Sequence, residues 1–167
     1  PQLARIFSVP VVAAGGIVDG AGMAAAFALG ASAAYMGTRF IASKECEVSA
    51  EYKQAILNST VKDVINTEKV DGYPGNFIYT QALEEIGLEE SLLETVFKKN
   101  RRFKRWLANL RATKSLFGPH ESKVSYKTVF AAGQCVGLID QLESVQEIMD
   151  RMVQEYHAVK AQLPGVD

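Results

Sequence analysis

The sequence is poor in cysteine, histidine and tryptophan, and it carries almost no net charge. Its two cysteines, Cys46 and Cys135, lie far apart and match no metal-ligand spacing; His120 and His157 are isolated as well, so no metal site is expected. The thiols read as reduced cysteines of a cytoplasmic protein, and neither has the basic neighbours or histidine motif of a nucleophile. No apolar run reaches the roughly 18 residues of a membrane-spanning helix, so no membrane partner is expected. The first residues lack the basic stretch, long apolar stretch and cleavage site of a secretory signal. A formal net charge of −1 gives no electrostatic reason for a nucleic-acid partner. An opening on Pro1, with no initiator methionine and little lead-in before a strand pattern, suggests a segment cut from a longer chain.

What is present is a core. Of the 167 residues, 48% are hydrophobic and 22% charged, the composition of a globular domain. Val9-Pro10-Val11-Val12-Ala13-Ala14 is a continuous apolar run of strand length, as expected of a parallel strand buried on both faces. Pro10 suits only its start, and Gly15-Gly16 ends it. Asp19 is placed to cap a helix through the alanine-rich residues 24–29, with Gly30 as its stop. Residues 31–36 read as a second strand, ended by Gly37-Thr38. Strand, glycine turn, helix and strand make a βαβ unit.

The middle of the chain reads differently. Residues 49–57 and 81–113 are expected to be helical, the latter interrupted at Gly87; residues 70–76 and 116–123 are expected as loops, and no third parallel strand is evident. The basic run from Lys98 to Trp106 reads as the solvated face of a helix whose Phe103, Trp106, Leu107 and Leu110 turn inward. Residues 144–162 form an amphipathic helix with Val145, Ile148, Met149, Met152, Val153 and Tyr156 on one face, expected to pack on the outside of the βαβ unit.

The strongest chemical signal is the pair of glycine turns after neighbouring strands. Without a Cβ, glycine lets backbone N–H groups approach an anion, a following helix adds its positive end, and Thr38 adds a hydroxyl donor. Barrels bind phosphate in such loops. The turns are equally readable as tight turns and nothing more.

The residues also carry a resemblance. Val9-Pro-Val-Val-Ala-Ala-Gly-Gly-Ile17, Asp19-Gly20, Met36-Gly-Thr-Arg-Phe40 and Glu45-Cys46 resemble the nitronate monooxygenase (2-nitropropane dioxygenase-like) family. Gly72-Tyr73-Pro74-Gly75-Asn76-Phe77, Ala132-Gly133-Gln134 and Val136-Gly137 continue it in order. The resemblance implies an α/β fold, the C-terminal part of an FMN-dependent (β/α)8 TIM barrel (β7-α7-β8), followed by a mostly helical segment and a closing helix. It divides the chain into a barrel unit at 1–43, a mostly helical insertion at 44–128, and a barrel-packing helix region at 129–167. It implies FMN as cofactor, its phosphate held by Gly16, Gly37 and Thr38, with Gly15 supporting the turn and Tyr35 and Met36 alongside. The family often has Gln at the position of Tyr35, which leaves a backbone contact there but not that side chain. Gln134 either reaches the site or caps a helix.

The same resemblance implies oxidation of an alkyl nitronate or nitroalkane by O2, giving a carbonyl compound and nitrite. The catalytic histidine is expected in the N-terminal half of the barrel, outside this chain, so no catalytic residue is assigned here and the isolated chain is expected to be inactive. That half is the expected partner, and a homo-oligomer is compatible with the pattern. An NAD(P)H-dependent FMN reductase acting on enoyl thioesters or quinones, and a non-catalytic helical interaction module, remain the alternatives.

Overall fold

The structure, a computed structural model, describes residues 1–70, 73–86 and 128–162. The expectations for Gly87, the basic run, the 116–123 loop and His120 fall outside them. The chain divides into two compact units, Pro1–Val61 with Gly133–Asp167, and Lys62–Ala132.

The first unit is built on a parallel pair, β1 (Val12–Ala14) and β2 (Ala33–Tyr35), with Ala14 opposite Tyr35. A short helix, α1 (Gln2–Ile6), precedes them, and α2 (Gly20–Ala28) connects them. Asp19 lies in extended conformation before α2 and accepts from the Gly22 N–H at 2.7 Å, so the helix starts where its cap allows. Beyond Leu29, Gly30 at φ +98° takes the left-handed turn that releases the chain toward β2. Both strands are shorter than the apolar runs. Pro10 has no N–H to donate, and the pairing opens instead at Val11, whose carbonyl accepts from Ser32.

The expected burial on both strand faces is not found in this chain. Ala13 and Ala34 are half-buried, whereas Val12, Ala14, Ala33 and Tyr35 share an exposed face. Parallel partners in register point the same way, so these four side chains form one apolar strip, uncovered among the described residues.

After β2 come α3 (Thr38–Ile41) and α4 (Ala50–Asn58), the latter capped by the Ser49 hydroxyl. A 3-10 turn at Gln134–Leu138 and the long α6 (Val145–Gln162) complete the unit. α6 begins with a reciprocal cap: Ser144 N–H donates to Glu147 at 2.7 Å and Glu147 N–H donates to Ser144 Oγ at 3.2 Å. The Glu45 carboxylate accepts from the Val145 N–H as well, at 2.9 Å. α6 packs on α2. The approach is close enough that a Cβ at Gly20 would lie 2.2 Å from the Met152 carbonyl oxygen. Phe27 meets Tyr156 edge-on beside this crossing. The buried arc of α6 is narrower than its apolar residues suggest: Ile148 and Met152 are buried, while Val145, Met149 and Val153 are exposed.

The described residues of the second unit include a hairpin. β3 (Val64–Thr67) and β4 (Gly75–Ile78) pair antiparallel, Val64 opposite Ile78, so residues 75–76 are strand rather than loop. Val64-Ile65-Asn66-Thr67 is rich in β-branched residues, which favours a pleated strand over a helix. The segment 130–132 adds to β4 through Ile78 N–H to Phe130 and Ala132 N–H to Asn76. Phe77, Leu83 and Val129 form the core of this unit, with Ile65 and Val70 against it; Leu83 lies on the short α5 (Gln81–Ile86).

Candidate phosphate-binding site

The parallel register puts the two glycine turns at the same end of the sheet, since Gly15 follows Ala14 and Met36 follows its partner Tyr35. Gly15 and Gly16 have φ of +90° and +75°, a region that side-chain-bearing residues rarely adopt. At both positions, and at Gly37, a Cβ would meet nothing within 4 Å among the described residues. The backbone is therefore open toward solvent at three glycines of neighbouring turns, as a cradle for an anion must be.

Thr38 opens α3, and its Oγ accepts from the Gly133 N–H at 3.0 Å. That bond carries the 3-10 turn, and with it Gln134, to the edge of the β2 turn. Gln134 is exposed and opens the 3-10 turn. Met36 is half-buried, and Tyr35, 67% exposed, stands on the open face of the sheet. The structure thus brings Gly15 and Gly16 to the same strand ends as Tyr35, Met36, Gly37 and Thr38, and attaches Gln134 through its neighbour Gly133.

Two donors at the positive end of α2 are answered by carboxylates: Asp19 takes Gly22 N–H, and Glu155 of α6 takes Gly20 N–H at 2.8 Å.

Sequence reasoning missed what lies behind the cradle. Arg39, directly after Thr38, is 1% exposed. Its guanidinium donates to Glu143 and to the Gln141 carbonyl, the latter at 3.2 Å. Arg151 of α6 reaches the same Glu143 oxygen at 2.6 Å, and Glu143 is 13% exposed. Burial pushes the Arg39 pKa down, and Glu143 works against that shift. The Lys44 N–H donates to the Glu143 carbonyl, which fixes the carboxylate's backbone beside α3. Nothing in the local sequence marks this arginine as buried.

The remaining candidates are plain. His157 is exposed on α6 with its ring against Tyr156. Cys46 and Cys135 are free thiols. Among the described residues no cluster of His, Cys, Asp or Glu is arranged to hold a metal, and no helix is long and apolar enough to cross a membrane.

This is an α/β chain with an open glycine cradle at the end of a parallel strand pair. It belongs to the nitronate monooxygenase family, whose family model matches residues 1–155. A dehydrogenase of Rhodococcus jostii, named for the substrate (3aS,4S,5R,7aS)-5-hydroxy-7a-methyl-1-oxo-octahydro-1H-indene-4-carboxyl-CoA, is 30% identical across 92% of the chain and 51% of its own length. A probable nitronate monooxygenase of Staphylococcus aureus is 38% identical over 90 residues, which is 54% of the chain and 25% of that protein. Among solved structures, FabK from Thermotoga maritima superposes with a TM-score of 0.70 at 30% identity, covering 96% of this chain and 48% of FabK. A nitroalkane oxidase from Streptomyces ansochromogenes, at 23% identity and a TM-score of 0.69, shares the fold. The chain spans about half the length of the Rhodococcus protein and a quarter of the Staphylococcus protein.

Proposed function

We propose that this chain supplies the FMN phosphate-binding part of a (β/α)8-barrel oxidoreductase, and that the complete protein oxidises alkyl nitronates with O2 to a carbonyl compound and nitrite. The observation that carries the reading is the pair of neighbouring turns whose glycines leave open space where side chains would stand. These residues suit a phosphate monoester. Gly16, Gly37 and Thr38 offer backbone N–H groups, Thr38 adds its hydroxyl, Gly15 holds the turn, and Tyr35 and Met36 border it. Gln134 sits one residue beyond the Gly133 bond to Thr38. FMN, when bound, supplies the redox chemistry. The chain's own residues anchor and orient it, and the exposed strip of Val12, Ala14, Ala33 and Tyr35 would be covered by the rest of the barrel. No catalytic residue is assigned within this chain.

Titration of the complete protein with FMN, followed by flavin fluorescence, tests the reading. Gly37 has φ −92°, ordinary for any residue, and no atom near its would-be Cβ. A Gly37→Val protein should therefore fold normally yet fill the cradle, weakening FMN by about tenfold or more (roughly 1.4 kcal/mol). Unchanged FMN binding in that variant would refute the site.

A second reading, an NAD(P)H-dependent reductase acting on thioesters, is favoured by similarity over 92% of this chain to the Rhodococcus protein, named as a dehydrogenase of a carboxyl-CoA compound. Rapid bleaching of the flavin by NADPH, without nitrite release from a nitronate, would select it.

A further inference from the structure

A threonine hydroxyl has one hydrogen to give and two lone pairs to accept with. At Thr38 one lone pair is occupied by the Gly133 N–H at 3.0 Å, and the side chain makes no other hydrogen bond among the described residues. A backbone N–H cannot reverse its role, so Thr38 is fixed as the acceptor in this bond and its O–H hydrogen is left for another partner. Thr38 directly follows Gly37, where, as at Gly15 and Gly16, the space of a Cβ is empty among the described residues.

We infer that Gly133 is a positioning residue for the anion site. Its N–H orients the Thr38 hydroxyl as a donor to a phosphate oxygen, without itself touching the ligand. This inference rests on the phosphate-binding reading above. The chain of donors runs from Gly133 N–H to Thr38 O–H to phosphate oxygen, and each bond polarises the next. A ligand phosphate should strengthen the first bond from a distance. The glycine itself suits the position, because a Cβ there would press to 3.2 Å from Cys135 Sγ.

The test uses the complete protein and two flavins that differ only in the phosphate, FMN and riboflavin. The readouts are affinity and the amide proton shift of Gly133 in a glycine-labelled NMR spectrum. The preference for FMN should fall about tenfold in Thr38→Val and survive in Thr38→Ser, which keeps the hydroxyl. FMN, but not riboflavin, should move the Gly133 amide downfield, and Thr38→Val should abolish that movement. A Gly133 amide that ignores FMN, in a protein whose Thr38→Val variant loses the FMN preference, overturns the positioning role and leaves the phosphate site standing. A shift that persists in Thr38→Val means that Gly133 touches the ligand directly, which also overturns it. Equal affinity for FMN and riboflavin in the unaltered protein overturns the phosphate reading, and the inference with it.

Discussion

Replacing Glu143 with leucine would remove the carboxylate in contact with Arg39 and leave a guanidinium that is 1% exposed with the Gln141 carbonyl as its hydrogen-bond partner among the described residues. Breaking a buried pair in this way costs about 3–5 kcal/mol, because the surviving charge cannot reach water. The reverse change, Arg39→Leu, should be milder. Glu143 is slightly exposed and keeps Arg151 at 2.6 Å, so the loss should be nearer ~1–3 kcal/mol. The asymmetry follows from the count of partners: Glu143 contacts two cations, while Arg39 contacts one anion. The double variant should be more stable than Glu143→Leu alone, since no charge is then stranded, and the coupling should be ~1–3 kcal/mol. Urea denaturation measures all three. With a slope of about 2 kcal/mol per molar, Glu143→Leu should lower the midpoint by ~1.5–2.5 M. A shift under about 0.5 M, or a larger loss for Arg39→Leu than for Glu143→Leu, would refute the argument that Arg39 is the stranded partner.

Other positions give independent checks. Gly20→Ala would drive a methyl group to 2.2 Å from a backbone carbonyl of α6, so it should destabilise by roughly 3 kcal/mol or more, seen as a lowered thermal midpoint. Asp19→Ala removes only the cap on α2 and should cost about 1 kcal/mol in the same assay. Hydrogen bonds from Ser144, chiefly its backbone N–H, together with Lys44, hold the Glu147 carboxyl down at about 2 from an ordinary value of 4.5. A lowered folded-state pKa means that its stabilisation is complete above about pH 4.5 and is lost as pH falls toward 2. Glu147→Gln should therefore flatten the acid limb of the stability profile in that window; an unchanged limb would contradict the capping role.

Features governed by near neighbours were legible in the sequence. Asp19 as a cap, Gly30 as a stop and the glycine ends of both strands each depend on a few adjacent residues, and the structure has them as read. Features set by distant residues were not. Thr38 and Gly133 are 95 positions apart, Arg39 and Glu143 are 104 apart, and no periodicity links either pair. An arginine after a glycine-threonine turn reads as exposed until its carboxylate arrives from elsewhere. The β3–β4 hairpin escaped for another reason. Its strands have four residues each, too few for alternation to stand out beside the glycine and proline between them. On α6 the apolar residues were visible but not which would be covered, because among the described residues its main packing partner is α2, with a narrow footprint.

The glycine at which the chain re-enters the first unit is also the one bonded to Thr38. A Cβ on Gly137, four residues further on, would sit 3.6 Å from the nitrogen of Val61, where the chain leaves that unit. A detour whose ends are pinned together can vary in length at small entropic penalty, about 0.6 kcal/mol per doubling. Loop grafting or shortening between 62 and 132 should therefore be well tolerated by the sheet and α6. Since Gly133 N–H is bonded to Thr38, a mismatch in how the detour comes home bears directly on that hydroxyl.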